Sequence, residues 1–343
     1  MPMKNAKLWL FAVLIALTSS VSAQQSLEIS RPARSWEFVD SVGQRSAIFG
    51  NEAGTFEGWV YPLKLFRDFD LRFNTADHEL KASDFIREVT VRPESTTLTY
   101  ATSTFTVRET VMAPPDQPGG IIRFDIDAFA PMQIEARFVR DFQLMWPAAV
   151  GGTFIDWNQP ANAFFMSHEA RKLSAYFGSP MAVDHRMEYF TNSVTSDQNT
   201  MLLRRVERGH TTQYIVFAAS MNNANEALQS YQALSSNPAQ FEQTAGGYYS
   251  DYLARTISLQ LPDKQLQAAY DWSRVSVLQG LVKNPYLGTG LIAGYRTSNL
   301  SARPGFAWFF GRDSLWTDMA LDAVGDYQTT KTALEFIMKF QRA

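Results

Sequence analysis

Between Arg31 and about Ser220 the chain alternates apolar and polar residues with a period of two, and no sustained helical period interrupts that span. Val89 and Val91 are set against Glu88 and Thr90, and Phe105, Val107 and Val111 against Thr104, Thr106, Arg108 and Thr110. Ile122, Phe124 and Ile126 alternate with Arg123, Asp125 and Asp127, as Ile134, Ala136 and Phe138 do with Glu135 and Arg137. Successive strand side chains point to opposite faces, so each segment reads as an antiparallel strand with one apolar and one wet face. Turn residues separate them at Arg92-Pro93-Glu94-Ser95, at Pro114-Pro115-Asp116-Gln117-Pro118-Gly119-Gly120 and at Ala130-Pro131. Apolar sheet faces must be covered, and many short strands without intervening helices predict a β-sandwich over residues 24–221.

Composition narrows the functions open to such a chain. Its 343 residues suffice for two domains, and with 45% hydrophobic, 13% aromatic and 19% charged residues it is globular rather than disordered. A net charge of -3 leaves no electrostatic footprint for nucleic acid and suits a neutral ligand better. The absence of cysteine excludes disulfides, thiolate catalysis and cysteine-ligated metals. His78, His168, His185 and His210 have no metal-ligand spacing, and Asp68/Asp70 and Asp125/Asp127 have strand spacing, which predicts a solvated face. No metal is expected.

At the N-terminus Lys4 and Lys7 precede an apolar run over 8–17, and Val21-Ser22-Ala23 supplies small residues before Gln24. The run is too short to span a bilayer, so residues 1–23 read as a secretory signal peptide. The mature protein is then expected to be exported, periplasmic or secreted, with no stable membrane anchor after cleavage.

The pattern changes near Asn222. A short helix over 222–234 carries Leu228 and Tyr231, and Asn237-Pro238 caps a second with Phe241, Ala245, Tyr248 and Tyr252, weakened by Gly246-Gly247. A last strand over 256–261 is expected to return to the sandwich, which makes 222–261 a partly helical connector. From residue 262 the chain reads as helical. Asp263 caps a helix with Leu266, Tyr270, Val277 and Leu281 on one face, a long loop fills 284–310, and Asp326 opens a helix carrying Ala333, Phe336, Ile337 and Phe340. Between loop and last helix, Trp316, Ala320, Ala323 and Val324 recur at helical spacing up to Gly325. So much apolar helix surface exceeds what the sandwich can cover, and residues 262–343 read as the start of a larger helical domain.

The stretch that carries chemistry is Arg303-Pro304-Gly305-Phe306-Ala307-Trp308-Phe309-Phe310-Gly311-Arg312-Asp313-Ser314-Leu315-Trp316. Aromatic rings can stack on the apolar face of a pyranose, and a charged fork can hold its hydroxyls. An Arg-Asp pair at a helix start is equally consistent with a cap and a surface charge. Trp59 in Gly58-Trp59-Val60-Tyr61-Pro62, and Trp146 before Pro147, are read as sandwich core.

A sandwich, a helical connector and then Pro304 to Trp316 together resemble the glycogen-debranching, amylo-α-1,6-glucosidase-type glycosidases, which share an (α/α)6 barrel with the glucoamylases. The resemblance implies an α+β multidomain protein: an antiparallel β-sandwich followed by the first helices of such a barrel. It implies that Arg312 and Asp313 bind hydroxyls of the terminal glucose of an oligosaccharide or α-glucan, with Trp308 and Phe310 as aromatic walls. Phe310 stands where relatives often have Trp. It also implies inversion without a cofactor, by an acid and a base on opposite sides of the ring. In that family both come from later helices, so the catalytic carboxylates are expected beyond residue 343. Asp313, beside a cation, suits an acceptor better than a proton donor, and Asp318 and Asp322 read as structural. A non-catalytic carbohydrate-binding protein and an envelope-associated structural sandwich are the alternatives.

Overall fold

The computed structural model describes residues 27–76, 78–144, 152–187, 198–295 and 307–341. The expected signal peptide, Trp146-Pro147 and the lead-in over 303–306 lie outside the described residues. In chain order the first strands are β1 (Ile29–Pro32), β2 (Phe38–Val42), β3 (Ser46–Asn51), β4 (Thr55–Val60), β5 (Leu63–Thr75) and β6 (Glu79–Lys81). Next come β7 (Ile86–Arg92), β8 (Ser95–Ala101), β9 (Phe105–Met112), β10 (Gly119–Ala128), β11 (Met132–Leu144) and β12 (Thr153–Asn158). The last five of the sandwich are β13 (Ala163–His168), β14 (Ser174–Gly178), β15 (Ala182–Met187), β16 (Gln198–Leu203) and β17 (Gly209–Ser220).

They form two antiparallel sheets. One has nine strands in the order β1-β7-β8-β9-β10-β17-β14-β13-β12; the other has eight, in the order β15-β16-β11-β5-β4-β3-β2 with β6 on the side of β5. The alternation read from sequence sets the faces. Phe105, Val107 and Val111 of one sheet and Ile134, Ala136 and Phe138 of the other enter one buried core. Phe66 sits at its centre, with ring centroids 4.7 Å from Phe177 and 5.4 Å from Phe217, so the sheets interdigitate through aromatic edges. Trp59 is fully buried as expected, but on the outer face of the eight-stranded sheet rather than between the sheets.

Helices and the aromatic run cover the outer faces of both sheets. Helix α1 (Ala224–Ser236) starts where the Asn223 side chain accepts from the Glu226 amide. Its Ala227, Tyr231 and Leu234 pack on Ala163, Tyr176, Val216 and Ala218 of the nine-stranded sheet. Helix α2 (Pro238–Arg255) has Pro238 in its first turn and runs straight through Gly246-Gly247. Helix α3 (Lys264–Gln279) is capped by Asp263, whose Oδ1 accepts from the amides of Gln265 and Leu266. Helix α4 (Gly311–Ala323) ends at Gly325, where φ is +81° and glycine is favoured. Asp326 then caps α5 (Tyr327–Met338) by accepting from the Thr329 amide. The molecule is thus α+β, stacked antiparallel sheets followed by helices, and no closed ring of helices exists among the described residues.

Four expectations are corrected. Residues 256–261 form no strand: Thr256 closes α2 on the Tyr252 carbonyl, and the Ile257 amide bonds the Val324 carbonyl instead of a sheet edge. The loop expected over 284–310 begins as a hairpin, β18 (Leu281–Asn284) with β19 (Gly288–Leu291), and a side chain at Gly290 would meet the Phe336 ring at 2.5 Å. In α3 the buried side is Arg274, Val275 and Leu278, not the row through Leu266. Arg274 is drawn in because its guanidinium reaches the Leu253 carbonyl, the Thr256 hydroxyl and Asp271. In α4 the expected apolar row is exposed, Trp316 at 68%, while Ser314, Asp318 and Leu321 turn inwards against α5 and the hairpin.

Candidate functional site

The aromatic run is a wedge between sandwich and helices. Phe309 bridges to Ile292, and the Ala293 amide donates to the Trp308 carbonyl, so the run is tied to the end of the hairpin. Ala307 is buried, and Trp308 and Phe309 pack beside it against the outer-face cluster of Phe49, Trp59 and Tyr61. Phe309 also lies 4.5 Å from the Phe336 ring of α5. Beside Trp59, Lys64 is fully buried, with its Nζ 2.9 Å from both Glu57 and Asp141, and the Trp59 indole donates to Glu57 at 3.0 Å. Alternation and register put Glu57 of β4 and Lys64 of β5 on the face of Trp59, which meets the wedge.

Phe310 leaves the wedge in extended conformation, serves as N-cap of α4 without a side-chain bond, and remains 41% exposed. Arg312 and Asp313 come next, in the first turn, where an acidic side chain suits the positive end of the helix. The Arg312 side chain is 83% exposed, and among the described residues its one contact is Nη2 to Asp313 Oδ2 at 3.4 Å. Its other donors face water, so the planar fork is available to a ligand without breaking a stronger internal pair.

Next to the fork is a cavity of about 220 Å³ walled by Trp308, Phe309, Phe310, Phe336 and Phe340, with Ser314 among its lining residues. Trp308 and Phe310 therefore both line this cavity, while Arg312 and Asp313 stand outside its lining. The two aromatic residues line the cavity, and the Arg312-Asp313 pair follows them in the first turn of α4.

Asp318, read from sequence as structural, has an unusual environment. It is 4% exposed, and among the described residues neither carboxylate oxygen has a hydrogen-bond partner; the Ser314 hydroxyl one turn before it has none either. Burial pushes the Asp318 carboxyl up to about 6, with Asp322 adding to the effect. No local signal announces this, since apolar periodicity points to Trp316 and polar residues on a buried stripe leave no pattern. Among the described residues no group of three or more His, Asp or Glu is placed to hold a metal ion.

No known family matches the chain by sequence, and no curated protein does. Solved structures do match by shape. The chain is similar to a bacterial glucoamylase complexed with acarbose, with a TM-score of 0.60 at 9% identity over 92% of this chain and 51% of that one. It is also similar to a putative kojibiose phosphorylase from the human microbiome, with a TM-score of 0.50 at 8% identity over 79% of this chain and 45% of the other. At such identities the likeness is one of fold. The chain spans about half the length of these two structures.

Proposed function

We propose that this chain is the N-terminal part of an exported glycoside hydrolase of the debranching, α-glucosidase type, acting by inversion on the ends of α-glucans. The observation that carries the reading is the exposed Arg312 guanidinium, at the first turn of α4 beside the aromatic wedge, on a fold like that of the glucoamylase. In this reading Arg312 and Asp313 grip the hydroxyls of the terminal glucose, and Trp308 and Phe310 flank its apolar face. The exposed row of Leu315, Trp316 and Met319 on α4 and Tyr327 and Met338 on α5 is where further helices of an (α/α)6 barrel would pack. Those helices would bring the acid and base, separated widely enough to admit a water.

The test is calorimetric titration of the chain with acarbose and maltotriose. Arg312→Lys is expected to weaken binding about tenfold, because an ammonium cannot reproduce the planar fork. Unchanged affinity would sink the assignment. A non-catalytic exported carbohydrate-binding protein is the second reading. It keeps the same fork, and it is favoured if a longer native form containing the remaining helices binds these sugars and hydrolyses none.

A further inference from the structure

At another edge of the sandwich, a groove combines an exposed ring with cations that lack carboxylate partners. It begins as a cavity of about 530 Å³ lined by His168, Lys172, Leu173, Met221, Asn222 and Tyr286, from the β13–β14 turn, the end of β17 and the tip of the β18–β19 hairpin. Through Met221 and Asn222 it runs into a second cavity of about 270 Å³, whose charged lining residues are Arg45, Lys283 and Glu226. Neither shares a lining residue with the cavity beside Arg312.

The ring is presented by a tied turn. Asn284 is buried, and its Oδ1 accepts from the amides of Tyr286 at 2.9 Å and Leu287 at 3.1 Å. Tyr286 is nevertheless 60% exposed, so its ring stands on a fixed platform with a face open to a ligand. His168 Nδ1 is engaged by the Leu173 backbone, 3.3 Å from its amide and 3.4 Å from its carbonyl, which leaves Nε2 as the ring nitrogen for a ligand. The Asn222 amide nitrogen is spent on Glu226, leaving its oxygen as an acceptor.

The charges of the groove are not balanced internally. Glu226 accepts from Ser220, Asn222 and Asn223 at 2.8, 2.9 and 3.0 Å; these hydrogen bonds lower its pKa and keep it ionised, one negative charge against the lining cations Arg45, Lys172 and Lys283. Lys283 is held by Asp116 at 3.3 Å. Among the described residues Arg45 and Lys172 have no side-chain partner, in a chain whose net charge is -3. Glu169, beside His168, is the nearest further acid in sequence, and its carboxylate lies over Gly152. The groups left to meet a ligand are thus a ring, the His168 Nε2, an amide acceptor and two cations, with Glu226 as the one anion among the lining residues.

We propose that this groove binds a negatively charged oligosaccharide, with a pyranose face on Tyr286 and its anionic groups on Lys172 and Arg45. The test is titration of the chain with trigalacturonate, with a sulfated disaccharide and with neutral maltotriose. At least one acidic probe is expected to bind, more tightly as salt falls from about 150 to about 50 mM. Which of the two binds identifies carboxylate or sulfate as the recognised group. Binding should weaken about tenfold or more in Tyr286→Ala and in the Lys172→Ala/Arg45→Ala double variant, and stay unchanged in Arg312→Lys. Unaltered circular dichroism of these surface variants shows that the fold is kept. Failure of both acidic probes to bind, or binding indifferent to Tyr286 and to the paired cations, overturns the proposal. Loss of binding in Arg312→Lys does the same by assigning the probe to the other site, and maltotriose binding through Arg312 is independent of either result.

Discussion

The sandwich and the helices after it differ in how far they cover buried charge and apolar surface. In the sandwich, Lys64 is wholly buried but meets two carboxylates, and the Glu109 carboxyl in the core accepts from the Tyr100 hydroxyl. Its apolar faces are closed on each other, on α1 and on the aromatic wedge. In the helices, Asp318 is buried with no partner among the described residues, while Trp316, Met319 and Met338 are exposed. The sandwich covers most of its apolar surface itself, although Asp70 Oδ1, Glu109 Oε1 and Gln213 Oε1 have no hydrogen-bond partner among the described residues. The helical layer leaves Trp316, Met319 and Met338 open to water, which agrees with the proposed larger helical domain.

Breaking the sandwich side of this contrast should have the largest effect. Lys64→Met leaves Glu57 and Asp141 facing each other in a buried site and is expected to cost about 3–5 kcal/mol in urea denaturation. A loss under about 1 kcal/mol would mean that the group is more hydrated than its burial implies.

Glu109 sharpens the contrast through pH. Burial pushes its carboxyl up to about 8 against an ordinary 4.5, although the Tyr100 bond pulls it down. The folded form therefore holds a proton that the unfolded form loses. The stability tied to Glu109 is full below pH 4.5 and is lost as pH rises towards 8. Glu109→Gln should remove that slope and be about 1–3 kcal/mol more stable than the parent at pH 8. Parallel pH dependences of the urea midpoint in the two proteins would refute this.

In the helices the same logic gives a smaller gain. The Asp318 carboxyl, pushed from 3.8 up to about 6, loses stability for the fold over that interval. Asp318→Asn should stabilise this chain by about 1 kcal/mol at neutral pH, with little change at pH values below the ordinary carboxylate range. If further helices bring a donor to Asp318, the substitution becomes destabilising in the longer protein, and thermal denaturation of both forms reads the change of sign. The smallest effect is expected for Trp316→Ser, within about 0.5 kcal/mol here because the ring is exposed. A larger loss would reveal that the face is already covered in solution, and sedimentation would show by what.

Much of the fold was legible because strand alternation is a local code. Val107 and Ile122 declare their faces by their immediate neighbours, and the caps Asp263 and Asp326 declare helix starts within three residues. Trp308, Phe310, Arg312 and Asp313 stand together as a motif in the sequence, but the division into cavity-lining rings and an exposed fork is not legible there. The Tyr286 groove left no mark in sequence, because its residues come from three distant turns.

By itself the sequence determined which residues alternate, where helices begin and which side chains could meet a sugar, since these depend on backbone geometry and side-chain chemistry over a few residues. Only the tertiary structure decided which face each helix buries. Arg274 and Val275 turn inwards rather than Leu266, and Ser314 and Asp318 rather than Trp316, because a helix turns towards the surface available to it. For α3 that surface holds the acceptors around Thr256, and for α4 it is the side of α5 and the hairpin, leaving the more apolar stripe to water.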